Sequence, residues 1–319
     1  MAPRRPLISI IIPNWNGAHH LPTCLDSLRQ QTYVPFETIL VDNGSADDSV
    51  PLVRNRYPDV RLLLLPENRG FAGAVNAGIT QAARGEIIAL LNNDTEADPG
   101  WLAGLQAALD RHPGAGMAAS KILLFDLRDH FHSAGDGYGR DGIPINRGVW
   151  QQDDGQFDKE ELIFGGCGGA VVYRRSMLDE VGLLDESLGS YCEDVDLNWR
   201  AQLAGWKCVY APKAVVYHKV SATGGGSIAS YFVGRNTLWV LARDYPAALW
   251  RQHWRAIARA QWRIAQEAIR SWRGPAARAR LRGQIAGLLS LPLIWWRVRP
   301  AIQRTRRVDE EYLRTLLQN

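Results

Sequence analysis

Four times between residues 7 and 101 an aliphatic run of strand length breaks off at a polar cluster and gives way to a helix-forming segment. Residues 7–12 end at Pro13-Asn14-Trp15-Asn16-Gly17, before a helix over about 21–30. Residues 37–41 end at Asp42-Asn43-Gly44-Ser45, before a helix over about 50–57. Residues 61–65 lead through Asn68-Arg69-Gly70 into a helix of small residues containing Asn76. The run at 86–91 stops at Asn92-Asn93-Asp94, and Asp98-Pro99-Gly100-Trp101 then opens a helix. Continuous apolar runs bounded by turn residues are strands buried on both faces. Their alternation with helices and short loops predicts an α/β fold with a doubly wound, mainly parallel sheet. In such sheets ligands bind beyond the carboxyl ends of the strands, which is where these polar clusters fall. A dinucleotide site would need GxGxxG after the first strand, and that loop reads PNWNGA.

Beyond residue 116 the pattern changes. A strand is expected over 117–124, followed by a polar, Gly-rich stretch over 126–158 carrying His130, His132, Asp136 and Asp141. These four lack the fixed spacing of metal ligands, and the stretch reads as an acceptor-side loop or lid. Gly165-Gly166-Cys167-Gly168-Gly169 then precedes a strand over 171–175, and glycine at this density permits close backbone approach of a ligand or a structural bend. Glu193-Asp194-Val195-Asp196-Leu197-Asn198-Trp199-Arg200 runs into a helix that stops at Gly205. A helix N-terminus favours acids, but three in four residues exceed one cap. Short strands over 207–210 and 214–217 follow, the second ending at His218.

Charge divides the chain. From Pro246 onward there are fifteen arginines, no lysine and four acids, a net +11, which leaves residues 1–245 at −7 against the whole chain's +4. Six of the twelve tryptophans also lie beyond 245. Arg251, Arg255, Arg259 and Arg263 recur every four residues on one helical stripe, with Trp250, Trp254 and Trp262 nearby, a pairing suited to a membrane interface. The apolar segment 285–296 contains Pro292 and is too short to span a bilayer, so it reads as lying in the interface. The alternative is a solvated basic helix packed on the body through its Trp side. No nucleic-acid-binding module accompanies the arginines, which argues against a nucleic-acid partner. Four cysteines without CxxC spacing, and no signal-peptide pattern after Met-Ala-Pro-Arg-Arg-Pro, predict reduced thiols in a cytoplasmic protein.

The ordered motifs PNWNG, VDNGSADDS, NRGFAGAVNAG, LNND, GGCGGAVVYRR, and EDVDLNWRAQLAGW followed by YAPKAVVYH resemble the inverting glycosyltransferases of family 2, which have the GT-A fold, and most closely their rhamnosyltransferase-like branch. The resemblance spans about residues 7–240. It implies a catalytic domain over 1–245, with a nucleotide-sugar half over about 1–115 and an acceptor half over about 116–245, and a helical tail over 246–319. It implies that Pro13, Asn14, Asn16, Asp42, Asn43, Arg69, Asn76, Asn92 and Asn93 line the nucleotide-sugar pocket, with Asp42 on the pyrimidine. Asp94 falls on the metal-binding acid of the family's Asp-x-Asp motif and His218 on a further metal ligand, for Mg²⁺ or Mn²⁺. Asn92 stands where the first acid of that motif is often found, and so is assigned to ribose. Asp194 falls on the catalytic base, Glu193 is the lesser candidate, and Gly166, Cys167, Gly168 and Trp199 lie on the acceptor side.

The residue types suit the chemistry. Displacing a nucleoside diphosphate from an anomeric carbon needs a cation on the departing phosphates and a base at the acceptor hydroxyl. The expected partners are a nucleotide diphosphate sugar, a lipid-linked or polysaccharide acceptor, and the inner face of the cell membrane; the oligomeric state is left open. A nucleotidyltransferase would need a basic Gly-rich loop after the first strand, which PNWNGA does not supply. A non-catalytic nucleotide-sugar-binding protein would not need Asp94, Asp194 and His218 together.

Overall fold

The computed structural model describes residues 5–219 and 226–318. The predicted alternation is present: β1 (Ile8–Asn14), α1 (Leu21–Leu28), β2 (Phe36–Asn43), α2 (Ser49–Arg56), β3 (Arg61–Leu65), α3 (Gly70–Gln81), β4 (Ile87–Leu91), the short β5 (Thr95–Ala97) and α4 (Trp101–Arg111). β1 pairs in parallel with β2 on one side and β4 on the other, and β3 lies outside β2. The strand order therefore reverses between β1 and β4, and the crevice at that reversal is where an open α/β sheet binds its ligand.

Strand periodicity sorts the core into two layers, because successive side chains point to opposite faces. Ile8, Ile10, Ile12 and Leu40 pack with Leu21, Leu25, Trp101 and Leu105 of α1 and α4. Ile11, Ile39, Val41, Ile88 and Leu90 pack on the other face with Ala74, Val75 and Ile79 of α3.

The second half widens the sheet with β6 (Ala115–Leu124), β7 (Phe131–Ser133), β8 (Asp136–Gly139), β9 (Pro144–Asn146), β10 (Glu161–Ile163), β11 (Ala170–Arg174), α5 (Arg175–Val181), a 3-10 turn (Glu186–Leu188), α6 (Glu193–Leu203) and β12 (Lys207–His218). β11 enters antiparallel between β4 and β6, β12 runs parallel to β6, and β10 pairs antiparallel with β12. The sheet is thus mixed, with its parallel part at the switch point. Two expectations change. The segments 207–210 and 214–217 form one strand whose register against β6 jumps between Ala211 and Val215, around Pro212, which has no N–H to give the ladder. The polar stretch 126–158 is not a free loop, since β7 pairs with β6 and β8 with β9.

The tail is helical, as expected: α7 (Gly226–Asp244), α8 (Ala247–Arg270), α9 (Pro275–Leu293), a π-helical turn (Ile294–Val298), α10 (Arg299–Arg304) and α11 (Glu310–Leu316) with β13 (Leu317–Gln318). It packs on the body. α9 lies tightly along α7, where a Cβ on Gly283 would stand 2.1 Å from the Tyr231 carbonyl oxygen. β13 adds a parallel strand to β8. A third core joins Tyr138, Phe164 and Trp199 of the body to Val240, Tyr245, Leu249, Ile257, Leu313 and Leu317. Among the described residues no helix is long and apolar enough to cross a membrane.

Candidate active site

The carboxyl ends of β1, β2 and β4 are joined by side-chain amides. Asn14 Nδ2 donates to Asp42 Oδ1 at 3.2 Å, and Asn14 Oδ1 accepts from Asn93 Nδ2 at 2.7 Å. The Ser45 amide donates to Asp42 Oδ2 at 3.1 Å, the Asn16 amide to Ser45 Oγ at 2.9 Å, and the Ala46 amide to Asn16 Oδ1 at 2.8 Å. These bonds lace the loops after Pro13 and Asp42 into one polar floor. Gly17 is required beneath it, because a Cβ there would stand 2.2 Å from Asn93 Nδ2 and 2.4 Å from Asn14 Oδ1.

Three other residues assigned to this pocket are engaged elsewhere. Asn43 accepts the Arg69 amide at 2.8 Å and donates to Asn68 Oδ1 and the Gly70 carbonyl, both at 3.0 Å, fixing the loop that enters α3. Asn76 donates to Glu186 Oε1 at 3.0 Å and exchanges hydrogen bonds with the backbone of Leu184. Arg69 pairs with Glu186 Oε2 at 2.9 Å and keeps about two-fifths of its side chain in solvent. Glu186 is the acid that brings Arg69 and Asn76 together.

At the end of β4, Asp94 meets the end of β12. Asp94 Oδ1 lies 3.0 Å from His218 Nε2, both side chains are buried, and Asn92 Nδ2 stands 3.4 Å from the same ring nitrogen. His218 Nδ1 lies 3.0 Å from His132 Nδ1 of β7. Burial, then the neighbouring His218, pushes His132 down to about 4, so it is neutral at pH 7. In the tautomers that satisfy both contacts, His132 donates from Nδ1 to His218 Nδ1 and His218 donates from Nε2 to Asp94. The donor set would fit a divalent cation once Nε2 is free of its proton: a hard carboxylate oxygen and one imidazole converge from two strand ends, and His218 would then carry its proton on Nδ1 and donate it to His132, which orients the ring. Among the described residues no group of three or more His, Cys, Asp or Glu side chains forms a closed cation cage. A cation here would therefore take further ligands from a bound diphosphate and water.

The glycine run links this pair to the acids of α6. The Asn92 amide donates to the Gly169 carbonyl at 2.9 Å, and the Gly168 amide donates to Asp194 Oδ2 at 2.8 Å. A Cβ on Gly168 would lie 3.2 Å from Asp194 Oδ2, and one on Gly169 would lie 3.5 Å from His218 Cε1. Gly168 thus bonds the carboxylate, and the next residue lies beside His218 of the Asp94–His218 pair. Cys167 is an inert thiol, pushed up by burial and the surrounding carboxylates. Gly166 is pinned to Asn198 through its carbonyl at 3.1 Å.

Three carboxyl groups gather here with different characters, Glu193 and Asp136 buried and Asp194 half-buried. Burial raises Asp194, opposed by the amides of Gly168 and Val195. Glu193 is pushed up to about 8 by burial and then by Asp194, and its Oε2 has no partner, so it carries its proton at pH 7. Asp136 is raised well above the usual range by burial and by Asp194. Environments that separate neighbouring carboxyl groups in this way set apart the one able to act as a base, here Asp194.

The backbone leading into Asp194 is strained. Tyr191 and Cys192 are consecutive non-glycine residues with φ of +69°, which costs on the order of 1–3 kcal/mol each. Asn236 of α7, fully buried, holds them: its Nδ2 donates to the carbonyls of Tyr191 at 2.6 Å and of Leu188 and Ser190 at 3.0 Å. Asn236→Ala is expected to lower turnover by about 10- to 100-fold through misplacement of Asp194 while donor affinity stays within twofold. Steady-state kinetics alongside donor titration check this, and an equal loss in donor affinity would show that the clamp acts on the whole fold.

Trp199 does not reach the acceptor side. It is fully buried against Tyr138, Phe164 and Tyr245, because the third core needs a large apolar side chain on that face of α6. His132, Asp136, Glu186 and Asn236 are the members of the site that motif reading leaves unassigned. His132 and Asp136 were visible only as scattered polar residues, and nothing local marked Glu186 or Asn236.

Residues 9–182, more than half of the chain, match the model of the family described as Glycosyl transferase family 2. The chain is similar, at 28% identity over 77% of its length and 87% of the relative's, to the N-acetylglucosaminyl-diphospho-decaprenol L-rhamnosyltransferase of Mycobacterium tuberculosis. In fold it resembles a mannosyltransferase of Pyrobaculum calidifontis solved with GDP-Man and Mn²⁺, with a TM-score of 0.55 and 19% identity over 95% of this chain and 86% of that one. It also resembles GalNAc-T7 solved with UDP, GalNAc and Mn²⁺, with a TM-score of 0.61 and 17% identity over 75% of this chain and 48% of that one. The mixed sheet with its parallel half at the switch point is the GT-A arrangement, and the chain is a glycosyltransferase that belongs to glycosyl transferase family 2.

Proposed function

We propose that the chain transfers a sugar, with L-rhamnose from dTDP-rhamnose as the leading candidate, onto a lipid-linked or polysaccharide acceptor with inversion at the anomeric carbon. The observation that carries this reading is the meeting of the Asp94–His218 pair and Asp194 on the two consecutive glycines Gly168 and Gly169. That spacing suits a donor held between a phosphate-side and an acceptor-side station. The donor sugar and the lipid-linked acceptor are supported by the printed name of the mycobacterial relative.

In this mechanism Asn14, Asp42 and Asn93 form the polar floor for the nucleoside, and Arg69 is the cation at its rim. Mg²⁺ or Mn²⁺ held by Asp94 and His218 would neutralise charge on the departing diphosphate. Asp194 takes the proton of the acceptor hydroxyl from the face of the sugar opposite the leaving group, which gives inversion in one displacement. The Gly168 amide orients its carboxylate, and Glu193, already protonated, does not compete for that proton. The acceptor lipid places the enzyme at the inner face of the cell membrane, with contact through residues 246–319.

A thermal-shift panel of dTDP-, UDP- and GDP-sugars with and without Mn²⁺ or Mg²⁺ tests the reading. A donor at a hundred times its Kd is expected to stabilise the protein by about 2.7 kcal/mol, only with cation present, and the shift is expected to vanish in Asp94→Ala. A dTDP-sugar response names the donor class, a UDP- or GDP-sugar response reassigns it, and no response to any donor defeats the proposal.

A further inference from the structure

The face of α9 that packs on α7 is made of small and polar residues, Gly283, Gln284 and Gly287, followed by Ile294. The opposite face is apolar and open. Ile285, Leu288, Leu289 and Leu293 are each more than half exposed, and Trp296 is 78% exposed. With 3.6 residues per turn these five, and the exposed Pro292 between them, fall on one stripe about 140° wide. Going back toward the N-terminus, the same face carries Arg278 and Arg282, both exposed. At its other end Trp296 also lines an apolar groove of about 290 Å³ with Trp250, Leu291, Pro292 and Trp295.

An unpartnered stripe of this kind needs an occupant, and charge chooses it. Between Glu267 and Asp309 there are ten arginines and no acidic residue. The exposed Arg251, Arg255, Arg259 and Arg263 of α8 add to the positive charge of the tail. An apolar strip edged by guanidinium groups matches the boundary of an anionic bilayer, with side chains among the acyl chains and arginines at the phosphates. A second copy of this chain seated on the strip would set these arginines against arginines.

We propose that the outer face of α9, from Arg278 to Trp296, is the membrane-inserting surface of this protein, that it lies in the plane of an anionic leaflet, and that the Trp250–Trp295–Trp296 groove receives the end of a lipid chain. This rests on the reading of residues 246–319 as membrane-facing, and it assigns the contact to one helix face. The basic stripe of α8 acts beside it by attraction alone.

The test is flotation of the full chain with vesicles of phosphatidylethanolamine containing phosphatidylglycerol, and with phosphatidylcholine vesicles. The unaltered chain is expected to float with the anionic vesicles. The double variant Leu288→Glu with Leu289→Glu is expected to lose about tenfold or more in partitioning, and Arg278→Gln with Arg282→Gln about tenfold. Leu127→Glu, at an exposed apolar site of the body, is expected to change neither. An environment-sensitive dye on Leu289→Cys is expected to report an apolar surround only with anionic vesicles. The metal-dependent donor shift is measured on the same variants, and its persistence separates failure of this surface from failure of the transferase reading. Flotation of the Leu288→Glu, Leu289→Glu variant equal to that of the unaltered chain would overturn the proposal. So would a solution mass showing that the face is already covered by a second copy.

Discussion

Asp194→Asn is expected to lower turnover by about 10²- to 10⁴-fold, the range of a lost general base, with donor affinity and its cation dependence unchanged. The substitution is nearly isosteric. Gly168 and Val195 donate to different oxygens of the carboxylate, so the single carbonyl oxygen of asparagine, placed at Oδ2, keeps the Gly168 bond to the glycine run while the proton acceptor is removed. Rate against pH should distinguish this from a structural effect. In the unaltered enzyme turnover falls on the acid side as Asp194, raised by burial, takes up a proton, and in the variant that limb disappears. Glu193→Gln serves as the comparison. Glu193 is protonated already at pH 7, and removing its acidity should change turnover by less than about tenfold. If the two variants were reversed in effect, the assignment of the base would be wrong.

Arg243→Ala carries the second large effect, on stability. Arg243 of α7 is buried and ion-paired with Asp185 and with Asp196, the latter at 2.8 Å, and its Nε lies 4.0 Å from Asp244. Asp196 and Asp244 are fully buried, and burial together with Asp196 raises Asp244 well above the usual carboxylate range. Removing one member of a buried ionic network leaves charge without compensation, which costs about 3–5 kcal/mol. Arg200, which also holds Asp196 at 2.8 Å, limits the loss to the outer half of the network. Chemical denaturation of the two proteins measures the difference. Arg29→Ala is the control, since Arg29 pairs with Asp59 in the open and is expected to leave the unfolding midpoint in place. A cost for Arg243→Ala as small as the control's would mean that Asp244 and Asp196 are neutral without it. The network also matters for the site, because Asp196 lies on α6 two residues beyond Asp194 and Arg243 ties that helix to α7.

The half of the site on β1, β2 and β4 was legible because each polar residue follows its strand directly. Once the strands are parallel, Asn14, Asp42 and Asn93 must arrive at one edge, and their mutual hydrogen bonds follow from adjacent register. The other half was less legible. Asp194 stood out through acids in excess of a cap, and His218 through its place after a strand. Their shared contact with Gly168 and Gly169 depends on β11 entering antiparallel between β4 and β6, which apolar patterning does not encode. Arg69, Asn43 and Asn76 carry the right motif positions, yet loop anchoring and Glu186 engage them, because a buried amide takes the nearest backbone partner available.

By itself the sequence determined the sheet of alternating strands and helices, the polar clusters at strand ends, the division of charge at Pro246 and the family, all features written in residues close to one another along the chain. Tertiary structure alone decided that His132 orients His218 across 86 residues, that Asn236 holds the strained turn before Asp194 across 45, that Trp199 fills a core, and that α11 and β13 return to the body. It also decided which side of α9 faces outward. Both sides of that helix lack charge over most of their length, so no periodicity distinguishes them, and only the close fit of Gly283 and Gly287 against α7 leaves Ile285, Leu289 and Trp296 turned to the outside.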